Sequence, residues 1–116
     1  MEIDVRNTRA RTVLRLGGDF ISEPDQEKFR NRVQDLVAQG NKHLVVDLSH
    51  VKYINSCGLG SLVCALSTVR KVGGDLALVG AVPEVRDILV MTRLNTLFEM
   101  YPNLTGFPSK QPHDSN

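Results

Sequence analysis

The spacing of apolar residues near the start of the chain is typical of two short strands. Apolar and polar residues alternate from Ile3 to Arg6, and a second apolar segment runs from Thr12 to Gly17. The polar residues Asn7 to Ala10 lie between the two segments, and Gly17-Gly18 ends the second one. Two such segments joined by a short polar link predict an antiparallel hairpin.

The apolar residues that follow recur at helical spacing. They fall at i, i+4, i+7 and i+8, which places them on one face of a helix. Ser22-Glu23-Pro24-Asp25 predicts the helix start, because serine can cap, proline suits the first turn and an acid favours the positive helix end. Gly40 predicts its end. The inward-facing residues are Phe29, Val33, Leu36 and Val37.

The second half of the chain alternates short apolar runs with amphipathic segments. Each run predicts a buried strand, and each segment of helical period predicts a helix. Gly73-Gly74 predicts the end of the second helix, and Val82-Pro83-Glu84 the start of the third. The predicted strands are Leu44 to Leu48, Leu76 to Val79 and Leu97 to Tyr101, and the inward-facing helix residues are Leu59, Leu62, Val63, Leu66 and Val69, then Val85, Ile88 and Leu89.

The resulting order, β-β-α-β-α-β-α-β, predicts an α/β fold. Strands that alternate with helices imply parallel crossover connections, and the initial hairpin adds an antiparallel pair. We therefore expect a mixed sheet of four or five strands with helices packed mainly on one face. Residues 1–102 are expected to form one domain. Pro102, Pro108 and Pro112 have polar neighbours and no period, so residues 103–116 are expected to form a flexible C-terminal tail.

The composition argues against several classes of function. The 116 residues include 14 Lys and Arg against 13 Asp and Glu, a net charge of +1, which disfavours a protein that binds mainly the nucleic-acid backbone. Aromatic residues are 5% of the chain, too few for a base-stacking platform. No apolar run approaches the roughly 18 residues of a membrane span, and the first residues do not resemble a signal peptide. We expect a cytoplasmic protein with no direct nucleic-acid or membrane partner.

The two cysteines are expected to be reduced thiols. Cys57 and Cys64 lie seven residues apart, which is about 10 Å along a helix and too far for a disulfide. His43, His50 and His113 do not have metal-ligand spacing with them. No metal site or other cofactor is therefore expected.

The segment from Asn55 to Gly60 carries the clearest functional signal. It follows a buried strand and a link of several residues, and Ser56 is well placed to cap the second helix. Gly58 and Gly60 stand in the first turn of that helix, although each costs about 1 kcal/mol of helix propensity relative to Ala. A sequence optimised for helix stability alone would not place both there.

Two interpretations of these glycines stay open. They can serve a crowded loop–helix junction that accepts only small residues. They can also leave backbone N–H groups accessible beside an exposed Ser56, at a positive helix end that favours a phosphate.

The usual catalytic and nucleotide-binding motifs do not fit. Gly58-Leu59-Gly60 lacks the third glycine of a dinucleotide fingerprint. Ser56 is not inside a Gly-x-Ser-x-Gly motif. His50 is expected to be a solvated loop residue, Asp47 to accept N–H groups of the loop after its strand, and Cys57 to be a small filler. We therefore predict that the protein is not an enzyme.

At this point a family resemblance becomes visible. The segment Asp47-Leu48-Ser49-x-Val51-x-x-Ile54-Asn55-Ser56-x-Gly58-Leu59-Gly60-x-Leu62 resembles the signature of STAS domains, specifically of bacterial anti-sigma factor antagonists. The resemblance covers about residues 3–101 and includes Gly18-Asp19 and Gly73-Gly74-Asp75-Leu76. It implies a mixed sheet flanked by helices, in agreement with the order of elements above.

The resemblance implies regulation of transcription by partner switching. The unphosphorylated antagonist binds an anti-sigma factor, itself a serine kinase, and so releases a sigma factor. The kinase phosphorylates the serine that here is Ser56, which blocks binding, and a PP2C-type phosphatase reverses the reaction. By resemblance, the partner-binding residues are Gly18, Asp19, Phe20, Asn55, Ser56, Cys57, Gly58, Leu59 and Gly60.

The sequence departs from the family pattern at two positions. Asn55 stands where Asp is common, which keeps hydrogen bonding but removes a charge, and Cys57 stands where Ser, Thr or Ala is common. The alternative function is a non-phosphorylated STAS scaffold subunit of a signalling or lipid-transport complex. In that case Ser56 serves merely as a helix cap.

Overall fold

The chain alternates strands and helices in the order that the sequence predicts. The computed structural model describes residues 1–8 and 10–104. A short 3₁₀ helix at Leu94–Thr96 precedes the last strand. The strands are β1 (Glu2–Asn7), β2 (Thr12–Gly17), β3 (His43–His50), β4 (Asp75–Val79) and β5 (Glu99–Tyr101), and the helices are α1 (Glu23–Ala38), α2 (Ser56–Lys71) and α3 (Pro83–Met91).

Within the described residues the strands form one mixed five-stranded sheet in the order β1-β2-β3-β4-β5. Strands β1 and β2 are the antiparallel hairpin, and every later pair is parallel. The central strand β3 is paired on both sides, with Val46 opposite Leu14 of β2 and Leu78 of β4. The parallel strands therefore all end at the same edge of the sheet, where the loops to the helices begin.

The helices cover one face of this sheet. Leu44, Val46 and Leu48 of β3 belong to the same buried cluster as Phe29 of α1. Val45 points to the opposite face and lies outside that cluster. Since side chains alternate along a strand, this division confirms that the helices pack mainly on one face.

The first helix begins where the sequence predicts. Ser22 is its N-cap and accepts a hydrogen bond from the backbone N–H of Asp25 at 3.2 Å. The side chain of Asp25 accepts from the amino group of Met1 at 3.1 Å, and Lys28 donates to the carbonyl oxygen of Met1 at 2.7 Å. Met1, just before β1, is therefore held to the first two turns of α1 by one ion pair and one hydrogen bond.

Element ends differ from the sequence prediction by a few residues. Strand β3 continues to His50, so Asp47 and His50 lie within the strand rather than at its end or in a loop. Strand β5 begins at Glu99 rather than Leu97, because Leu97 still caps the 3₁₀ helix that ends at Thr96 and Phe98 forms a bend. Arg93, with φ of 62°, supplies the left-handed turn between α3 and this 3₁₀ helix. The expected tail is described only at residues 103 and 104, and its remainder lies outside the described residues.

The ionic contacts of Asp25 predict an acid-dependent contribution to stability. Burial raises the pKa of Asp25, but hydrogen bonds with Ser22 and the Met1 amino group, aided by the charge of Lys28, outweigh burial and hold the pKa below its ordinary value. A carboxyl whose folded pKa is lowered stabilises the fold above its unfolded pKa, and that stabilisation disappears as pH falls through the folded pKa. Asp25→Asn should cost about 0.5–1 kcal/mol at pH 7.

The measurement is urea unfolding of both proteins between pH 7 and pH 2.5. The difference between wild type and Asp25→Asn should shrink below about pH 4. Asp35→Asn, at an exposed position later in the same helix, is the control and should show a much smaller pH-dependent difference. A deficit of Asp25→Asn that stays constant over this range would contradict the ionic explanation.

Candidate functional site

Two loops run side by side at the edge where the parallel strands end. The loop after β2 leads into α1, and the segment after β3 leads into α2. The N–H of Gly18 donates to the carbonyl of His50 at 3.1 Å, and the N–H of Phe20 donates to that of Tyr53 at 2.9 Å. Phe20 and Ile54 also form an isolated parallel bridge. These bonds extend the pairing of β2 and β3 beyond the sheet and bring the Gly18-Asp19 loop next to the start of α2.

Asn55, not Ser56, caps the second helix. Its backbone is extended, with φ of −120° and ψ of −169°, and its Oδ1 accepts from the N–H groups of Cys57 at 3.0 Å and Gly58 at 3.2 Å. Its carbonyl accepts from the N–H of Leu59 at 2.9 Å. The expectation that Ser56 caps the helix is therefore wrong. Both residue types cap well, and the helix begins one residue earlier than predicted, at Ser56.

Ser56 is consequently the first residue of α2, and it is exposed. The expected free N–H groups beside it are not free, because Asn55 occupies those of Cys57, Gly58 and Leu59. What remains is the positive end of the helix macrodipole, in a first turn that contains no acidic residue. The dipole would thus favour an anion on the Ser56 hydroxyl, although the N–H groups of Cys57, Gly58 and Leu59 are not available to bind it.

The two glycines differ: Gly58 fits the crowded junction, whereas Gly60 leaves open space beside the helix, next to N–H groups that Asn55 already caps. A Cβ on Gly58 would overlap the carbonyl oxygen of Phe20 and lie 2.6 Å from Cγ1 of Ile54. Gly58 is therefore required by the crowded junction between the two loops. A Cβ on Gly60 would meet nothing within 4 Å, so the space beside Gly60 is open to solvent or to a partner.

Burial separates the expected partner-binding residues into two groups. Phe20, Gly58 and Leu59 are buried, and the ring of Phe20 packs edge-on against that of Phe29 with centroids 5.3 Å apart. The side chains of Phe20 and Leu59 therefore belong to the core and shape the surface from beneath. The expected residues that are exposed or half-buried are Gly18, Asp19, Asn55, Ser56, Cys57 and Gly60.

Two apolar side chains beside this site were missed by sequence reasoning. Ile21 is 45% exposed and Tyr53 is 63% exposed, and both lie in the paired loops. Tyr53 stands three residues before Ser56, and Ile21 directly follows Gly18-Asp19-Phe20; these positions beside expected partner-binding residues were the available signal. We use the name Ser56 surface for the set formed by Asp19, Ile21, Tyr53, Asn55, Ser56 and Gly60.

Other candidate groups have structural partners. Asp47 is buried, and its Oδ1 accepts at 2.9 Å the N–H of Ser49, a residue of β3 itself rather than of the loop after the strand as expected. Its Oδ2 pairs with Nε of Arg15 at 3.3 Å. His50 is exposed as expected, and its Nδ1 lies 3.1 Å from the hydroxyl of Ser49. The hydrogen-bond partners of Asp47 and His50 are thus Ser49 and Arg15.

Three further observations concern metal, membrane and thiol chemistry. Among the described residues, no three His, Cys, Asp or Glu side chains are grouped so that they could hold a metal ion. None of the helices in that part of the chain combines the length and apolar character that crossing a bilayer requires. Cys57 is half-buried, Cys64 is exposed, and both are free thiols.

Comparison with known proteins identifies the family. Residues 2–106 match the STAS domain, so the chain belongs to the STAS domain family. Over 104 residues it is 22% identical to a protein of Paenibacillus polymyxa named anti-sigma F factor antagonist, with 89% of this chain and 88% of the relative covered. The expectation of a STAS domain is therefore confirmed.

Solved structures agree on the fold. An anti-sigma factor antagonist from Mycobacterium paratuberculosis superposes with a TM-score of 0.78 at 26% identity, covering 90% of this chain and 87% of that one. The Bacillus cell fate determinant SpoIIAA in its phosphorylated form gives a TM-score of 0.71 at 19% identity, covering 90% and 94% of the two chains. The mixed sheet with helices on one face is thus the fold shared with these proteins.

The contrast between the two glycines yields a stability prediction. Gly58→Ala should lower the free energy of unfolding by about 2 kcal/mol, because its Cβ forces the loop of Phe20 away from α2. Gly60→Ala is the matched control in the same helical turn and should raise the free energy of unfolding by up to about 1 kcal/mol. Chemical denaturation of the two variants tests this, and equal stabilities would refute the assignment of Gly58 to the crowded junction.

Proposed function

We propose that the protein is an anti-sigma factor antagonist that acts by partner switching and is regulated by phosphorylation of Ser56. The observation that carries the proposal is the exposed Ser56 at the first position of α2, where Asn55 already performs the capping. Its hydroxyl is not needed to hold the helix together. A serine that is exposed and structurally dispensable is free to be modified.

The electrostatics of the helix end support a phosphate at this position. A phosphoserine carries about −1.5 to −2 charges at pH 7. The first turn of α2 has no acidic residue to repel it, and the helix dipole favours negative charge there. The capping bonds of Asn55 do not use the Ser56 side chain, so they can persist after phosphorylation. The domain is expected to stay folded while its surface changes charge.

The effect on binding arises in the partner's interface. A surface that is complementary to a neutral hydroxyl must desolvate the phosphate or exclude it. A penalty of about 3 kcal/mol lowers affinity more than a hundredfold, which is enough to reverse a competition between two partners. The Ser56 surface supplies the contact area, with Tyr53 and Ile21 as exposed apolar groups close to the serine.

The partners in this proposal follow from the family. The unphosphorylated protein binds an anti-sigma factor serine kinase in the cytoplasm and thereby releases a sigma factor, and a PP2C-type phosphatase restores the unphosphorylated form. The name of the Paenibacillus relative supports the antagonism of an anti-sigma factor. The SpoIIAA structure named for its phosphorylated form supports phosphorylation of a protein with this fold. Binding of nucleic acid or membrane has no role.

The alternative is a STAS scaffold subunit in which Ser56 only caps the helix. The capping geometry weighs against that role of Ser56, since the N–H groups of Gly58 and Leu59, which a Ser56 cap would bind, already donate to Asn55. Absence of phosphorylation and equal binding of the charged and neutral variants in the following two experiments would support the scaffold function.

Phosphorylation is tested by intact mass after incubation with ATP and a cognate anti-sigma factor kinase. Wild type should gain one phosphoryl group, and Ser56→Ala should gain none. Ser67→Ala, which alters another exposed serine of α2, should behave as wild type. A phosphoryl adduct that persists in Ser56→Ala would move the site elsewhere.

The charge argument is tested by titrating the same kinase with two variants of similar size. Ser56→Asp should bind at least tenfold more weakly than Ser56→Asn, because only the carboxylate introduces a charge that the interface must desolvate. Isothermal titration calorimetry gives both affinities. Equal values for the two variants would remove charge as the switch.

A further inference from the structure

The side chain of Asn55 links the two halves of the Ser56 surface. Beyond the sheet, the paired loops are joined first by the Gly18–His50 bond and then by the Phe20–Tyr53 bond. The next connection is made by a side chain, because the backbone at Asn55 turns into α2. Nδ2 of Asn55 donates to the carbonyl oxygen of Ile21 at 2.9 Å.

Both ends of the Asn55 amide are in use, and their chemistry fixes its orientation. Oδ1 faces two N–H donors at the start of α2, those of Cys57 and Gly58. The NH₂ group then faces the carbonyl acceptor of Ile21. One amide therefore caps the helix that carries Ser56 and also holds the loop that carries Asp19 and Ile21.

We propose that Asn55 is a positioning residue that presents these two halves to the anti-sigma factor as one preformed surface. The consequence for binding rests on the proposed function, whereas the tie between the loops does not. Preorganisation lowers the ordering cost of association, so a loosened loop would bind more weakly without any contact being removed from the interface.

A carboxylate at position 55 could perform only one of the two tasks. It would accept from the N–H groups of α2 as well as the amide does, and the helix dipole would favour its charge. Its second oxygen, however, would face the carbonyl oxygen of Ile21 at the present 2.9 Å, with no proton between two acceptors. A serine would also cap, but it has no amide donor that could bond to Ile21.

The loop remains anchored by its neighbour when this bond is lost. Phe20 is fully buried against Phe29, and its N–H bond to Tyr53 does not involve Asn55. Loss of the tie should therefore loosen residues 19–22 rather than unfold the domain. The expected effect is about tenfold on loop opening and on affinity, which is the upper end of the usual net effect of one hydrogen bond.

The experiment compares Asn55→Asp and Asn55→Ser, which keep the cap and lose the tie, with Asn55→Ala, which loses both. Amide hydrogen exchange is measured by NMR for wild type and the three variants. In Asn55→Asp and Asn55→Ser, the amide of Phe20 should exchange about tenfold faster, because opening of its loop no longer has to break the bond from Asn55 to Ile21. Amides from Leu62 onward in α2 should accelerate by no more than that factor. Unchanged exchange at Phe20 in both variants would overturn the tie.

Binding to the kinase that phosphorylates Ser56 provides the second measurement. Asn55→Asp and Asn55→Ser should each lose about tenfold in affinity, mainly through a slower association rate, while their thermal midpoints fall by only about 5 °C and both variants stay folded at the temperature of the measurement. Faster loop exchange with wild-type affinity would overturn the positioning role. A wild-type protein that binds no such kinase would overturn the proposed function instead, and hydrogen exchange would still decide the tie.

Discussion

The arrangement at the functional edge depends on the close approach between the first turn of α2 and the backbone of Phe20. Only a residue without a Cβ fits at position 58, where a side chain would overlap the carbonyl of Phe20. That carbonyl is held in place by the burial of its own ring against Phe29. The helix that carries Ser56 is thus seated against a loop that is itself part of the core.

This contact explains why the edge can combine rigidity with exposure. Phe20, Gly58 and Leu59 form a buried layer, and Asp19, Asn55 and Ser56 lie above it in solvent. A phosphate attached to Ser56 would change the outer layer while leaving the inner layer intact. Switching of a partner needs this separation, because a modification that altered the core would also alter the stability of the domain.

At the start of α2, capping and the proposed modification likewise belong to different residues. Asn55 satisfies the N–H groups of the first turn, so the helix does not rely on the residue that is proposed to be modified. The remaining field of the helix dipole is weak, worth typically 0.3–1 kcal/mol for an exposed charge. It is enough to tolerate a phosphate and too little to make the unmodified protein depend on one.

The amino-acid sequence by itself determined the order of the elements, the hairpin, the Ser22 cap and the family, because these depend on local periodicity and on residue types within a few positions. It did not determine whether Asn55 or Ser56 caps α2, since both are good caps and the choice depends on where the chain meets the loop of Phe20. Tertiary structure also decided that Phe20 is buried and that Tyr53 and Ile21 are exposed. Each of these outcomes is set by contact between segments about 34 residues apart along the chain, such as the bond from Asn55 to Ile21. A pattern of neighbouring residues does not indicate which distant segment they will contact.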